Sequence, residues 1–209
     1  NGNVKLVQGY VAALETEPDM TQERYSQLGA RILRGDTPIR NVAAAPDFVV
    51  SLIYPIAGYE SSRGLDYTRN AAQRDAALKV RDSGQLQITG PVRLVQGGEA
   101  VIARFPVVNL LPNGREHFWG IVSAVLDLEK LYTASGLRDD DLDIDVAIQV
   151  LKNGKADRAP FFGDASILDQ DPVGMTIRLG HEDWRFAAVP RGGWEPPAAH
   201  IWGPRLLLG

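Results

Sequence analysis

The chain has 209 residues, 22 Lys and Arg against 26 Asp and Glu for a net charge of −4, and no Cys. That balance argues against nucleic acid, which needs a basic face for its phosphates, and the missing Cys excludes disulfide scaffolds, thiolate zinc sites and cysteine nucleophiles. With 44% hydrophobic and 23% charged residues the composition is that of an ordinary globular chain, sized for one domain or two small lobes.

Val4 to Glu17 carries apolar residues at mostly helical spacing, and Asp19 or Thr21 caps a second helix over Gln22 to Leu33, closed by Gly35. The pair is read as a stalk or as helices covering one face of a core. Asp47 to Pro55 is β-branched and aromatic and reads as a strand; Ile56 to Tyr67 reads as a loop. Arg69 to Asp82, rich in Ala and followed by Ser83-Gly84, reads as a helix with a Gly stop. Leu86 to Val95 and Ala100 to Leu110 form a hairpin about Gln96-Gly97-Gly98-Glu99, where paired glycines permit a tight turn. Phe118 to Leu126 adds a third strand, and Leu128 to Ser135 a short helix stopped by Gly136. Ile144 to Leu151, Met175 to Leu179 and Trp184 to Val189 are short strands of a second, β-rich lobe. No apolar run approaches the roughly 20 residues that span a bilayer. The chain starts without Met or a basic leader and reads as an excised piece. Its end, Arg205 to Gly209, is the start of a membrane helix or an ordinary tail.

Four blocks then stand in order: Gly64-Leu65-Asp66-Tyr67, Thr89 to Gly98 (TGPVRLVQGG), Ala103-Arg104-Phe105-Pro106-Val107 and Phe118 to Asp127 (FWGIVSAVLD). Together they resemble the CHASE family, the extracytoplasmic sensory domain of cyclase- and histidine-kinase-linked receptors, over roughly residues 43 to 194. Trp184 and Gly192-Gly193-Trp194 resemble the end of that family's second lobe. The resemblance implies an α+β fold: N-terminal helices, then two PAS-like lobes, each with an antiparallel sheet. It places a helical stalk at residues 1–44, a membrane-distal ligand-binding lobe at 45–126, a membrane-proximal lobe at 127–200, and an exit toward a membrane helix at 201–209.

Catalytic chemistry has little to stand on. His117, His181 and His200 share no i,i+3 or i,i+4 spacing, so no zinc site is expected. A nucleophile elbow, a Walker A loop and a dinucleotide glycine fingerprint are all missing. Counting a calcium loop from Asp141 puts Val146 where Gly is required and Lys152 where Glu belongs, so the acidic run 139–145 reads as a solvated segment entering a strand. No catalytic residue, metal or cofactor is assigned.

A PAS-like lobe holds small molecules between its sheet and the elements packed over one face, and five residues are candidates for that site. Period two puts Gln87 and Thr89 on one strand face, so Thr89 is either a polar group of the pocket or a strand former bonded to backbone. Gln73, sixteen residues earlier, matches the position where the cytokinin receptors of the family carry Asp; otherwise it is a solvated helix residue. Arg104, on the strand that matches the family's ligand-lining strand, offers a planar fork for a carboxylate or phosphate, or is paired structurally. Ser123, with Ala124, matches small pocket-lining positions. Tyr67 closes the pocket mouth or packs the loop it ends. Trp119, Trp184 and Trp194 are read as packing residues.

These readings combine into an extracytoplasmic sensor of an inner-membrane receptor, periplasmic or extracellular, whose output domain lies outside the chain. With Gln at 73 and Arg at 104, a small, polar, anionic molecule is expected rather than a neutral cytokinin. A homodimer is expected through the stripe Val4, Val7, Val11 and Leu14, with transmembrane helices flanking the chain. The rival reading is a dimerisation or protein-interaction domain with no ligand.

Overall fold

The computed structural model describes residues 2–93, 98–180 and 182–194. The turn residues Gln96 and Gly97, His181, His200 and the exit segment 201–209 lie outside them. The fold is α+β, with N-terminal helices and two antiparallel sheets. In chain order it runs α1 (Gly2–Thr16), α2 (Gln22–Ile32), β1 (Ile39–Pro46), β2 (Leu52–Tyr54), α3 (Arg74–Ser83), β3 (Gln87–Arg93), β4 (Glu99–Leu110), β5 (Glu116–Asp127), α4 (Leu128–Ala134), β6 (Ile144–Lys152), β7 (Lys155–Ala156), β8 (Val173–Leu179) and β9 (Glu182–Pro190). The first sheet has the order β2-β1-β5-β4-β3 and the second β7-β6-β9-β8. Among the described residues, no helix is long and apolar enough to cross a membrane.

Helices α1 and α2 cover one face of the first sheet. Val7, Tyr10 and Leu14 of α1 are buried against Ala103, Phe105 and Val107 of β4, with Tyr25 of α2 beside them. The stripe expected to hold two copies together is therefore used inside one chain. What α1 leaves exposed is Gly2, Lys5, Gln8, Gly9, Ala12, Glu15 and Thr16, with Lys5, Gln8, Glu15 and Thr16 polar. The Asn109 amide on β4 donates to the Leu14 and Glu15 carbonyls at 3.1 and 2.9 Å, satisfying two of the last carbonyls of the helix.

The strand expected over Asp47 to Pro55 is shorter than that span, and a longer one precedes it. Asp47 to Pro55 opens with a turn at Asp47 and Phe48, at φ 46° and 69°, and only Leu52–Tyr54 is strand. The long strand is β1, Ile39–Pro46, which starts inside the span 1–44 read as stalk. Its Ala43-Ala44-Ala45 run has weak strand propensity, but pairing with β5 on one side and β2 on the other supplies the backbone partners.

The opposite face of the first sheet is covered by α3 and by the chain between β2 and α3. Ala43, Ala45 and Ile121 of the sheet pack there against Val50, Tyr67, Ala77 and Val80. Between the sheets, Val101 of β4 packs with Leu128 and Tyr132 of α4 and with Ile148, Val150 and Trp184 of the second sheet.

Candidate functional site

The register of the first sheet decides which side chains share the face under α3. Gln87 pairs with Arg104 and Arg104 with Ser123, which pairs with Ala43; one row along, Thr89 pairs with Ile102, Ile102 with Val125, and Val125 with Asn41. Residues paired across antiparallel strands point to the same face. A β-bulge between Thr89 and Val92 bends the edge strand at the border of this face.

A cavity of about 340 Å³ lies between these rows and the covering chain. That is the lower end of the usual range for small-molecule sites. Tyr67, Gln73, Thr89, Arg104 and Ser123, the five candidates, all line it.

Arg104 is 1% exposed. Its guanidinium donates to Thr89 Oγ1 at 3.3 Å and to Gln73 Oε1, and lies 5.8 Å from the centroid of the Tyr67 ring. Its Nε is buried with no partner. Every one of these neighbours is neutral. Among the described residues no carboxylate pairs with Arg104, and burial lowers its pKa below the ordinary guanidinium value. The site holds a desolvated cation without an anion, an expensive arrangement unless something completes it.

Tyr67 is a wall rather than a mouth. Its hydroxyl donates to Ser123 Oγ at 3.1 Å, its ring is buried, and burial raises the phenol pKa against the opposing pull of that hydrogen bond and of Arg104. Gln73 departs from the expected helix: α3 begins one residue later, at Arg74. The side chains of Asp66 and Asn70 capture the Thr68 and Ala72 N–H groups at 2.8 and 3.0 Å, and those turns displace a helical start. Gln73 is left at the helix entry with its side chain turned into the cavity instead of into solvent. Thr89 uses its hydroxyl for Arg104, not for backbone.

The sequence reading missed Asn41, Tyr59, Ser61, Ser62 and Arg93, which also line the cavity. Asn41 was out of reach because its strand was. The signal that could have found it is an Asn between Ile39 and Val42 at the head of an apolar run. A second hollow of about 390 Å³ borders the second sheet at Asp139, Asp145 and Arg191. Its Arg191 already lies 3.7 Å from Asp145, both well exposed, so this cation is neither buried nor in want of an anion.

The family profile of the CHASE domain matches residues 5–162. No curated protein matches the chain. Among solved structures, the fold is similar to an extracellular ligand binding receptor from Desulfohalobium retbaense DSM5692 (TM-score 0.64, 13% identity, covering 88% of this chain and 36% of that one). It is similar to the periplasmic sensory domain of the Campylobacter jejuni chemoreceptor Tlp1 (TM-score 0.54, 10% identity, 91% of this chain and 88% of that one). It is also similar to the ligand binding domain of the Pseudomonas aeruginosa PAO1 amino acid chemoreceptor PctB, solved with L-Arg (TM-score 0.52, 12% identity, 91% and 87%). At such identities the likeness is one of fold. The chain spans about a third of the length of the first of these proteins.

Proposed function

The chain belongs to the CHASE family of sensory domains, and from that premise we propose that it senses a small anionic molecule outside the cytoplasm on behalf of a membrane receptor. The ligand occupies the cavity beneath α3, in the lobe farther from the membrane, and the second sheet forms the lobe nearer to it. Occupancy biases two conformations, and the change passes to a cytoplasmic cyclase, phosphodiesterase or histidine kinase outside this chain. The observation that carries the reading is Arg104, a cation 1% exposed that faces a cavity and has only neutral partners. A carboxylate would meet the guanidinium through charge-assisted hydrogen bonds, about 1.5 to 3 kcal/mol each against roughly 1 for neutral ones.

The same cavity supports this reading over a ligand-free interaction domain, whose interior would be filled by side chains. A homodimer with flanking transmembrane helices remains part of the proposal, but its surface is not the buried Val7 and Leu14 stripe. The test is thermal unfolding of the chain against a panel of small carboxylates. A ligand at 100 times its dissociation constant stabilises by about 2.7 kcal/mol, and Arg104→Met should erase the shift. A panel without effect on either protein would favour the interaction-domain reading.

A further inference from the structure

Two residues that line the cavity each hold a buried polar atom without a partner, and the two atoms are of opposite kinds. Arg104 Nε is a donor and Asn41 Oδ1 an acceptor, both buried with nothing bonded to them, and Asn41 is 4% exposed. Burying such groups unsatisfied is costly, so each calls for a complementary group. Asn41 pairs with Val125, in the row of Ile102, while Arg104 pairs with Ser123 in the next row. The two residues thus stand two strands and two positions apart on one face, about 12 Å between Cα atoms from strand spacing and rise. The arginine arm narrows that gap to what a short aliphatic chain bridges. The third observation is the charge of the wall: among the described residues Arg104 and Arg93 line it, and no Asp or Glu does. An ammonium group placed there would face cations and no carboxylate.

Building on the reading of this cavity as the ligand site, we propose that it takes a short hydroxycarboxylate, not an amino acid. The carboxylate lies against the Arg104 guanidinium, and the far hydroxyl donates to Asn41 Oδ1. A hydroxyl supplies the missing donor without bringing a second positive charge.

The experiment is titration calorimetry of the chain with matched triplets of alkanoate, ω-hydroxyalkanoate and ω-aminoalkanoate, from acetate to hexanoate; butyrate, 4-hydroxybutyrate and 4-aminobutyrate are one such set. At the best-fitting length the hydroxy acid should bind about tenfold more tightly than the plain acid, the value of one good hydrogen bond, with the amino acid weakest. Asn41→Leu should remove the hydroxyl's advantage and keep the plain acid's affinity. Asn41→Asp, which keeps the shape of the side chain, should reverse the order of hydroxy and amino acid. If no carboxylate binds at all, the reading of the cavity falls. If carboxylates bind but the amino acid matches the hydroxy acid, or both Asn41 variants leave the order unchanged, this inference falls and the cavity reading stands.

Discussion

Arg104 is held in place by groups that fix its geometry without cancelling its charge. Gln73 and Thr89 accept from it and the Tyr67 ring lies beside it, yet each is neutral. Replacing a buried ion pair by apolar side chains of similar volume is often neutral or stabilising by about 1 to 4 kcal/mol, and Arg104 lacks, among the described residues, even the partner that would offset its desolvation. Arg104→Met should therefore raise the unfolding midpoint of the ligand-free chain in a denaturant titration, even as it removes carboxylate binding; a clear fall would mean the guanidinium already has its counterion. At this scale the sequence was informative for a physical reason. Alternation along a strand fixes which of its side chains share a face, so Gln87 and Thr89 came together from spacing, whereas Arg104 and Ser123 were singled out by the match of their strands to the family. Gln73 came from the family resemblance too, because on a helix read by its period it is only a solvated residue, and Tyr67 ends a loop, which carries no period to read.

Elements were legible where amphipathic period and caps agreed. Thr21 caps α2 by accepting from Arg24 N at 3.2 Å, and Gly84 ends α3 in the left-handed region at φ 62°. β1 was not legible, because its three alanines gain strand character only from neighbours distant in sequence. Close approach elsewhere depends on one missing side chain. Gly29 of α2 faces Tyr10 of α1 and Tyr54 of β2, and a Cβ there would lie closer to both than real Cβ atoms come to their neighbours. Both rings would have to give way for Ala to fit. Gly29→Ala should lower stability by about 1 to 3 kcal/mol through overpacking. It should leave carboxylate binding intact, since the cavity lies across the sheet. Chemical denaturation and calorimetry on one protein sample read the two effects separately.

On the scale of the whole molecule, the contact between the sheets is polar at the edge strand β3. Arg158 donates to the Pro91 carbonyl at 2.9 Å, and Gly180 fits against Gln87 where a Cβ would crowd its backbone. Glu182 lies beside Gly90 and is 7% exposed; burial raises its pKa above the ordinary carboxylate value, against the lowering pull of Trp184, the Gly90 backbone, Lys152 and Arg158. A carboxyl whose folded pKa exceeds its unfolded one holds its proton more tightly in the native state. This contribution to stability is present at low pH and is lost as pH rises from the unfolded value of about 4.5 through the raised folded value. Asp66, Asp127, Asp164 and Asp183 shift downward, so their contribution is present above their usual value of 3.8 and fades only on further acidification. Unfolding free energy should then rise as pH falls from neutrality toward 4.5, and Glu182→Gln should flatten that rise. An unchanged slope in the variant would assign the dependence elsewhere.

Strand β4 divides its residues by parity. Ile102 and Arg104 line the cavity, while Ala103, Phe105, Val107 and Asn109 serve the side on which α1 packs. A substitution at Ile102 or Arg104 alters the lining of the cavity and leaves the seat of the helix as it was; one at Ala103, Phe105 or Val107 does the reverse. Lineages descended from one ancestral receptor could thus change their chemical diet by drift at alternate codons while inheriting the same seating of the first helix.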